Sequence, residues 1–305
     1  MLIIGHLCID EKIINGKKCQ LELGSSVAYA SLSSVKNNYI DGISTTIISK
    51  IGYDFPDSFL KILNDNKIHL DHIIKVNSKS TRYILTYINE NRTELKLSSV
   101  CDKIEIKDIP SNLIKSNSII YFALIANEVE LELFKWMKTN FPKKLICLDI
   151  QGILRFKNPD KTIILQKNEN IINSLKYIDI LKMADYEAKI LINSEDFKDI
   201  SKKSSELGPK IVIITSGYNG SLIYDSKNDK FYKIPAIIPK KVIDVTGCGD
   251  VYFSSFLSEY YKTKDLKHSG LFAATFVSFL VQKEGLKGIP NRKIVLDKLK
   301  SIKFQ

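Results

Sequence analysis

Short, almost uninterrupted apolar runs recur along this chain at intervals that leave room for a helix between them. They are Leu2–Cys8, Thr45–Ile51, Ile119–Leu124, Leu145–Ile150, Ile178–Met183, Ile211–Thr215 and Ser221–Tyr224. A strand that is apolar on consecutive residues must be buried on both faces, as in a parallel sheet covered by helices. Helical patterns fill the gaps: residues 25–38, 55–66, 127–140, 187–193, 200–207, 249–261 and 265–284. The alternation predicts a doubly wound α/β fold, a mostly parallel sheet flanked by helices. With 305 residues, 44% of them hydrophobic, one domain spanning 1–305 has ample material for its core.

Two stretches break the pattern. Residues 11–23 contain Asn15-Gly16, a pair suited to a type I′ hairpin because both turn residues need positive φ. Residues 81–99 alternate about a polar Asn-Glu-Asn turn. Both read as antiparallel ribbons that form a small β-lid over the sheet, and such a lid excludes water during group transfer. Its edge offers a place for a second copy to pair, giving a homodimer.

The net charge of +11 suits phosphate-bearing partners. The lysines are dispersed and form no block of like charge, so no nucleic-acid partner is expected. No apolar run approaches the ~18 residues of a membrane helix, and no membrane association is expected. Cys8, Cys19, Cys101, Cys147 and Cys248 are scattered without C-x-x-C spacing, which points to reduced thiols, no zinc and a cytoplasmic location. The four histidines are dispersed and receive no role.

The segment that carries chemistry is Asp244-Val-Thr-Gly-Cys-Gly-Asp250, directly before a helical pattern. Gly247, Cys248 and Gly249 let backbone N–H groups at a helix start approach an anion. Asp250, in the first helical turn, makes sense beside an anion if it accepts a proton from an attacking hydroxyl. The plain alternative is an acidic residue favoured by the helix dipole. Other phosphate motifs are absent: there is no G-x-x-x-x-G-K-[ST], and Tyr252 stands where a dinucleotide fingerprint needs its third glycine.

The run DVTGCGDVYFSSFL resembles the C-terminal signature of the ribokinase-like (PfkB-type) carbohydrate kinases. LGSSVAYAS, TRYILTY, LDIQGILR, LKMADYEAKIL and IVIITSGYNGSLIY resemble further segments of that family, in the same order. The resemblance implies an ATP-dependent kinase that transfers the γ-phosphoryl group to a hydroxyl of a sugar or polyol, with Mg2+. It implies Asp250 as base and Gly247, Cys248 and Gly249 as anion hole. Asp10, Gly24 and Ser25 would bind substrate, and Arg155 would face a substrate or a phosphate. Thr215, Gly217, Gly220 and Thr246 would lie on the nucleotide side. Glu187 would orient magnesium through water, with Asp244 supporting metal and phosphate. Arg82, Tyr83 and Tyr87 on the lid either touch substrate or simply pack. A nucleoside kinase and a catalytically silent binding protein of the same fold are the alternatives. The sequence departs from the family pattern at Ser25, Ala184, Cys248, Tyr252 and Ser255.

Overall fold

A computed structural model describes residues 1–38, 44–88 and 91–302 of the chain. The strands in chain order are β1 (Leu2–Ile4), β2 (Cys8–Ile14), β3 (Lys17–Lys18), β4 (Glu22–Gly24), β5 (Thr46–Ile51), β6 (Ile73–Lys75), β7 (Thr81–Ile88), β8 (Asn91–Ser99), β9 (Ile119–Ala123), β10 (Leu145–Asp149), β11 (Arg155–Lys157), β12 (Ile163–Leu165), β13 (Ile180–Ala184), β14 (Ile211–Thr215), β15 (Ser221–Asp225) and β16 (Lys230–Ile234). The helices are α1 (Ser26–Asn38), α2 (Asp57–Asp65), α3 (Ser111–Ser116), α4 (Glu132–Asn140), α5 (Gln151–Leu154), α6 (Glu169–Ser174), α7 (Asp185–Ile192), α8 (Phe197–Glu206), α9 (Cys248–Thr263), α10 (Leu266–Leu280) and α11 (Arg292–Ser301).

Nine strands form the main sheet in the order β16-β15-β14-β13-β10-β9-β1-β5-β6. All neighbours from β14 to β6 are parallel, and β15 and β16 close one side antiparallel. The apolar runs are continuous because alternate residues feed two cores. Ile3 and Tyr121 pack with α1, α9 and α10 on one face, while Leu2, Ile4, Ile120 and Phe122 pack with α4 and α8 on the other. On α10, Phe272, Phe276 and Leu280 are buried in the first core, and Phe279 packs at its edge.

The lid is a second sheet, ordered β3-β2-β7-β8, with β4 on β2. Asn15 (φ 49) and Gly16 (φ 77) make the expected tight turn between β2 and β3. The turn expected between β7 and β8 falls on 89–91, of which 89 and 90 lie outside the described residues. Two expectations are corrected. The ribbons are antiparallel within themselves, but β2 and β7 join them in parallel, from Cys8↔Thr81 to Ile14↔Tyr87. The run expected as one strand, Leu2–Cys8, divides at Gly5: β1 stays in the main sheet and the chain then enters the lid as β2. A Cβ at Gly5 would lie 2.4 Å from the Ala123 carbonyl oxygen, so only glycine permits that crossing.

His6, given no role from sequence, fastens this crossing. It is fully buried, and desolvation lowers its pKa, so the ring is neutral. Its Nε2 faces the Asp102 carbonyl oxygen at 3.0 Å and therefore carries the proton. Nδ1 then accepts from Thr81 Oγ1 at 2.8 Å, and that oxygen accepts from the Cys101 N–H. Buried Glu128 accepts from the backbone N–H groups of His6, Ile125 and Ala126. These bonds explain a further departure: residues 125–131 wrap around the Glu128 carboxylate, so the helix expected from residue 127 begins at Glu132. We predict that His6→Ala, which orphans buried polar groups on both sides of the crossing, destabilises the fold by about 2–4 kcal/mol. A lowered urea midpoint at unchanged slope is the expected reading.

Candidate active site

The C-terminal ends of β10, β13 and β14 lie side by side, where ligands of open parallel sheets bind. These ends bring Gln151 just after β10, Ala184 at the end of β13 and Glu187 beyond it, and Thr215 from β14 to the cleft, with Asp149 of β10 buried beneath. With the lid and the start of α9 they enclose a cleft of about 690 Å³.

The anion loop is shaped by three close approaches. Gly247 caps α9 at φ 75, and a Cβ there would lie 2.2 Å from the buried Tyr29 ring of α1. A Cβ at Gly249 would lie 2.7 Å from the ammonium of Lys182. Asp244 clamps the loop from behind, its two oxygens accepting from the Thr246 N–H (2.8 Å) and the Gly285 N–H (2.9 Å). Burial opposes ionisation of Asp244, but these bonds outweigh it and lower its pKa. The N–H of Cys248 donates to the Val245 carbonyl at 3.3 Å, and those of Gly249 and Asp250 come next at the helix start, where N–H groups have no partner within the helix.

Asp250 lines the cleft from the first turn of α9. Burial and the nearby Asp149 carboxylate push its pKa up to about 6, against the opposing pull of Lys182. Gln151 Nε2 donates to Asp250 Oδ1 (3.1 Å) and to Ser26 Oγ (2.8 Å), and Arg155 donates to Gln151 Oε1 (2.8 Å). Arg155 also lies over the Tyr83 ring, 5.7 Å from its centroid. Carboxamide and guanidinium therefore aim at the same space as the base. Asp10 stands on the lid side of that space. A Cβ at Gly24 would lie 2.3 Å from the Asp10 carboxyl, so the glycine makes room for that side chain. Burial pushes Asp10 to about 6, with Cys8 Sγ donating to it at 3.5 Å.

Lys182 and Asp149 were not singled out from the sequence. Their ion pair, 2.9 Å long, is buried, and Asp149 is wholly inaccessible. Burial would lower the pKa of Lys182, yet Asp149, Glu187 and Asp250 together hold it above the ordinary lysine value. The signal was legible: a lysine within the apolar strand Ile180–Ala184 must find a counter-charge. Glu187 is buried on the cleft wall, and Oε2 accepts from the Ala184 N–H at 2.7 Å. Desolvation raises its pKa.

The other expected residues divide. Ser25, Thr215, Gly217, Gly220, Thr246 and Cys248 line the cleft, whereas Gly24 and Asp244 stand behind its wall. Gly220 (φ 83) is held so close to β16 that a Cβ would lie 2.1 Å from the Ile234 carbonyl oxygen. Thr215 Oγ1 donates to the Met183 carbonyl at 3.4 Å. Ser25 adopts φ 104, where glycine is ordinary, and its hydroxyl is committed to fold: it donates to the His6 carbonyl (2.6 Å) and accepts from the Val27 N–H (3.0 Å). Tyr83 and Tyr87 face the cleft, whereas Arg82 is drawn to Asp54 at 3.3 Å. Ser255 is buried and bonds back to the Val251 carbonyl, outside the cleft.

A buried carboxylate beside a glycine-flanked helix start, with polar groups converging on it, is an arrangement compatible with a phosphotransferase acting on an alcohol. The comparisons agree. The model of the pfkB family carbohydrate kinases matches residues 40–292, and the chain belongs to that family. It is similar to a cytidine kinase of Thermococcus kodakarensis, 23% identical, with 88% of this chain and 90% of that protein covered. Among solved structures it resembles a pyrophosphate-dependent kinase in the ribokinase family (TM-score 0.80, 22% identity, 97% and 99% covered). It also resembles Arabidopsis thaliana ribokinase complexed with ribose and ATP (TM-score 0.78, 20% identity, 98% of each chain covered).

Ser25 supplies a prediction. Ser25→Ala loses the cap and keeps the strained φ, and should cost about 1–2 kcal/mol of stability. Ser25→Gly loses the cap but relieves the backbone, so its melting temperature should stay closer to wild type. Lys182→Met strands a buried carboxylate and should cost about 3–5 kcal/mol; adding Asp149→Asn should recover part of this in chemical denaturation.

Proposed function

We propose that this protein is an ATP-dependent kinase that phosphorylates a hydroxyl of a sugar or an inositol-like polyol. The carrying observation is the position of Asp250, in one cavity between the first turn of α9 and the polar cluster of Asp10, Gln151 and Arg155. A polyol presents several hydroxyls, which suits a carboxylate, a carboxamide and a guanidinium converging from different elements. On the donor side, Ala236, Val242, Ala274, Val277 and Val281 add an apolar slot beyond the anion loop. A slot of that kind suits the base of a nucleotide and has no use for bare pyrophosphate.

The acceptor hydroxyl lies at Asp250 and gives its proton to that carboxylate as its oxygen bonds to the γ-phosphorus. The bond from that phosphorus to the β-bridging oxygen breaks, and the products are a phosphate ester and ADP. The N–H groups of Gly249 and Asp250 hold the charge that moves onto the transferring group, while the Cys248 N–H shapes the loop by donating to the Val245 carbonyl. Lys182, pressed against the bare face of Gly249, adds a fixed positive charge beneath them. Glu187, an acidic group on the cleft wall, fits a magnesium ion that would be held through water. When bound, it neutralises the β,γ-phosphate charge. Asp10 orients the acceptor. Lid closure dries the site, and the lid edge is where a homodimer would form.

A nucleoside acceptor is the second reading. Leu85, Leu95 and Ile125 give the lid side of the cleft an apolar wall on which a base could rest, and the Thermococcus relative is named a cytidine kinase. The test is release of ADP over a panel of sugars, inositols and nucleosides, with ATP and pyrophosphate compared as donors. Turnover of a polyol with ATP is expected. Turnover of nucleosides alone moves the acceptor to the second reading, and no turnover of any compound defeats the kinase reading.

Asp250→Asn should lower kcat about 10²–10⁴-fold with donor affinity largely kept. The same change should raise the melting temperature at pH 7, because the native site resists ionisation. The sign follows from a folded pKa near 6, above the ordinary aspartate value. The native state then holds the proton more tightly than the unfolded chain, so stability falls as pH rises through that interval. The wild-type rate should fall about tenfold per pH unit below about 6. Asp10 titrates in the same range, so Asp10→Asn should simplify that limb without abolishing it.

A further inference from the structure

The carboxamide of Gln151, just after β10, is engaged at both ends. Oε1 accepts from Arg155 (2.8 Å), and Nε2 donates to Asp250 Oδ1 (3.1 Å) and to Ser26 Oγ (2.8 Å). A guanidinium only donates and an ionised carboxylate only accepts, so those two partners fix which way round the carboxamide stands. The third contact fixes its tilt. It comes from Ser26, the first residue of α1, buried on the cleft wall. Its hydroxyl is not needed for the helix start, because Ser25 Oγ already accepts from the Val27 N–H at 3.0 Å.

Ser26 is itself held firmly. Its neighbour Ser25 donates to the His6 carbonyl at 2.6 Å, and Ser254 of α9 donates to the Ala30 carbonyl of α1 at 2.7 Å, which ties the helix of Ser26 to the helix of Asp250. We propose that Ser26 is a positioning residue for the transfer: it pins the Gln151 carboxamide so that one N–H stays on Asp250 and the carboxylate keeps its aim at the acceptor hydroxyl. This role rests on Asp250 being the base. Without Ser26 Oγ, one Gln151 N–H has no partner in a buried site, and the carboxamide must swing away from Asp250 to find another. Having accepted from Gln151, the Ser26 hydroxyl also turns its own proton toward Asp250 and favours the ionised carboxylate. The other titratable or charged groups facing Asp250 are Asp149 of β10, Lys182 of β13, Arg155 of β11, Tyr121 of β9, Tyr29 of α1 and Cys248 of α9. Replacing Ser26 alters none of them.

The test compares the intact protein with Ser26→Ala, Gln151→Leu and the double variant. Two quantities are read: kcat and KM against pH, and the titration of the Asp250 carboxyl by carbon NMR, which needs no turnover. Ser26→Ala should lower kcat about tenfold with KM for donor and acceptor nearly unchanged. Its Asp250 titration and the acid limb of kcat should both move to higher pH, by about half a unit or more, because a donor to the ionised form is lost. The double variant should be no slower than Gln151→Leu alone, since the two residues act as one unit. Losses that multiply, or an Asp250 titration unmoved in Ser26→Ala, would overturn the proposal. A wild type without turnover defeats the kinase reading instead, and the carboxyl titration still decides whether Ser26 holds Asp250.

Discussion

The buried ion pair of Lys182 and Asp149 is the constraint around which the catalytic side of this molecule is arranged. An ammonium and a carboxylate on adjacent central strands cannot be taken from water singly, so β10 and β13 must meet in the register that joins them. That register places Lys182 under the anion loop, and its head occupies the space any side chain at position 249 would need. A side chain at 249 would have to displace the Lys182 head from its place beside Asp149. The same pair sets the electrostatics of the base: Asp149 raises the pKa of Asp250 and Lys182 restrains it.

Much of the fold was legible because its physical cause is local. A strand covered on both faces has to be apolar at every position, and the seven runs became strands of the main sheet or its borders. Asn15-Gly16 announced its turn through the two positive φ angles it needs. The helix start at Gly247 was legible because small residues stand directly before a helical pattern. What escaped was set by partners distant in sequence. The crossing at Gly5 depends on the Ala123 carbonyl, and the role of His6 depends on Thr81 and Asp102. Ser25 in place of a glycine looked like a weakened substrate motif. It became instead a strained cap whose hydroxyl is used by the fold.

Family membership and site geometry answer different questions here. The fold is shared with kinases of differing acceptors and donors, so it cannot choose among them. The choice rests on side chains that line the two halves of the cleft. Arg155, tied to Gln151 and lying over Tyr83, faces the acceptor side with a charge that no described carboxylate neutralises by direct contact. Beyond the loop before α9 the cleft is lined by the apolar side chains of Ala236, Val242, Ala274, Val277 and Val281. The polar wall around Gln151 and Arg155 and the apolar wall around Ala274 and Val277 meet at the first turn of α9.

The parallel pairing of β2 with β7 also bears on how the chain reaches this state. Residues 8 and 81 must meet before the lid has a centre, and β5 and α2 lie on the intervening loop. Closing so long a loop is entropically unfavourable until the main sheet has drawn its ends together. The lid is therefore a late-forming element, assembled upon a sheet already in place. During synthesis, the apolar inner face of β7 waits uncovered, and in that interval the young chain is most open to association with its neighbours.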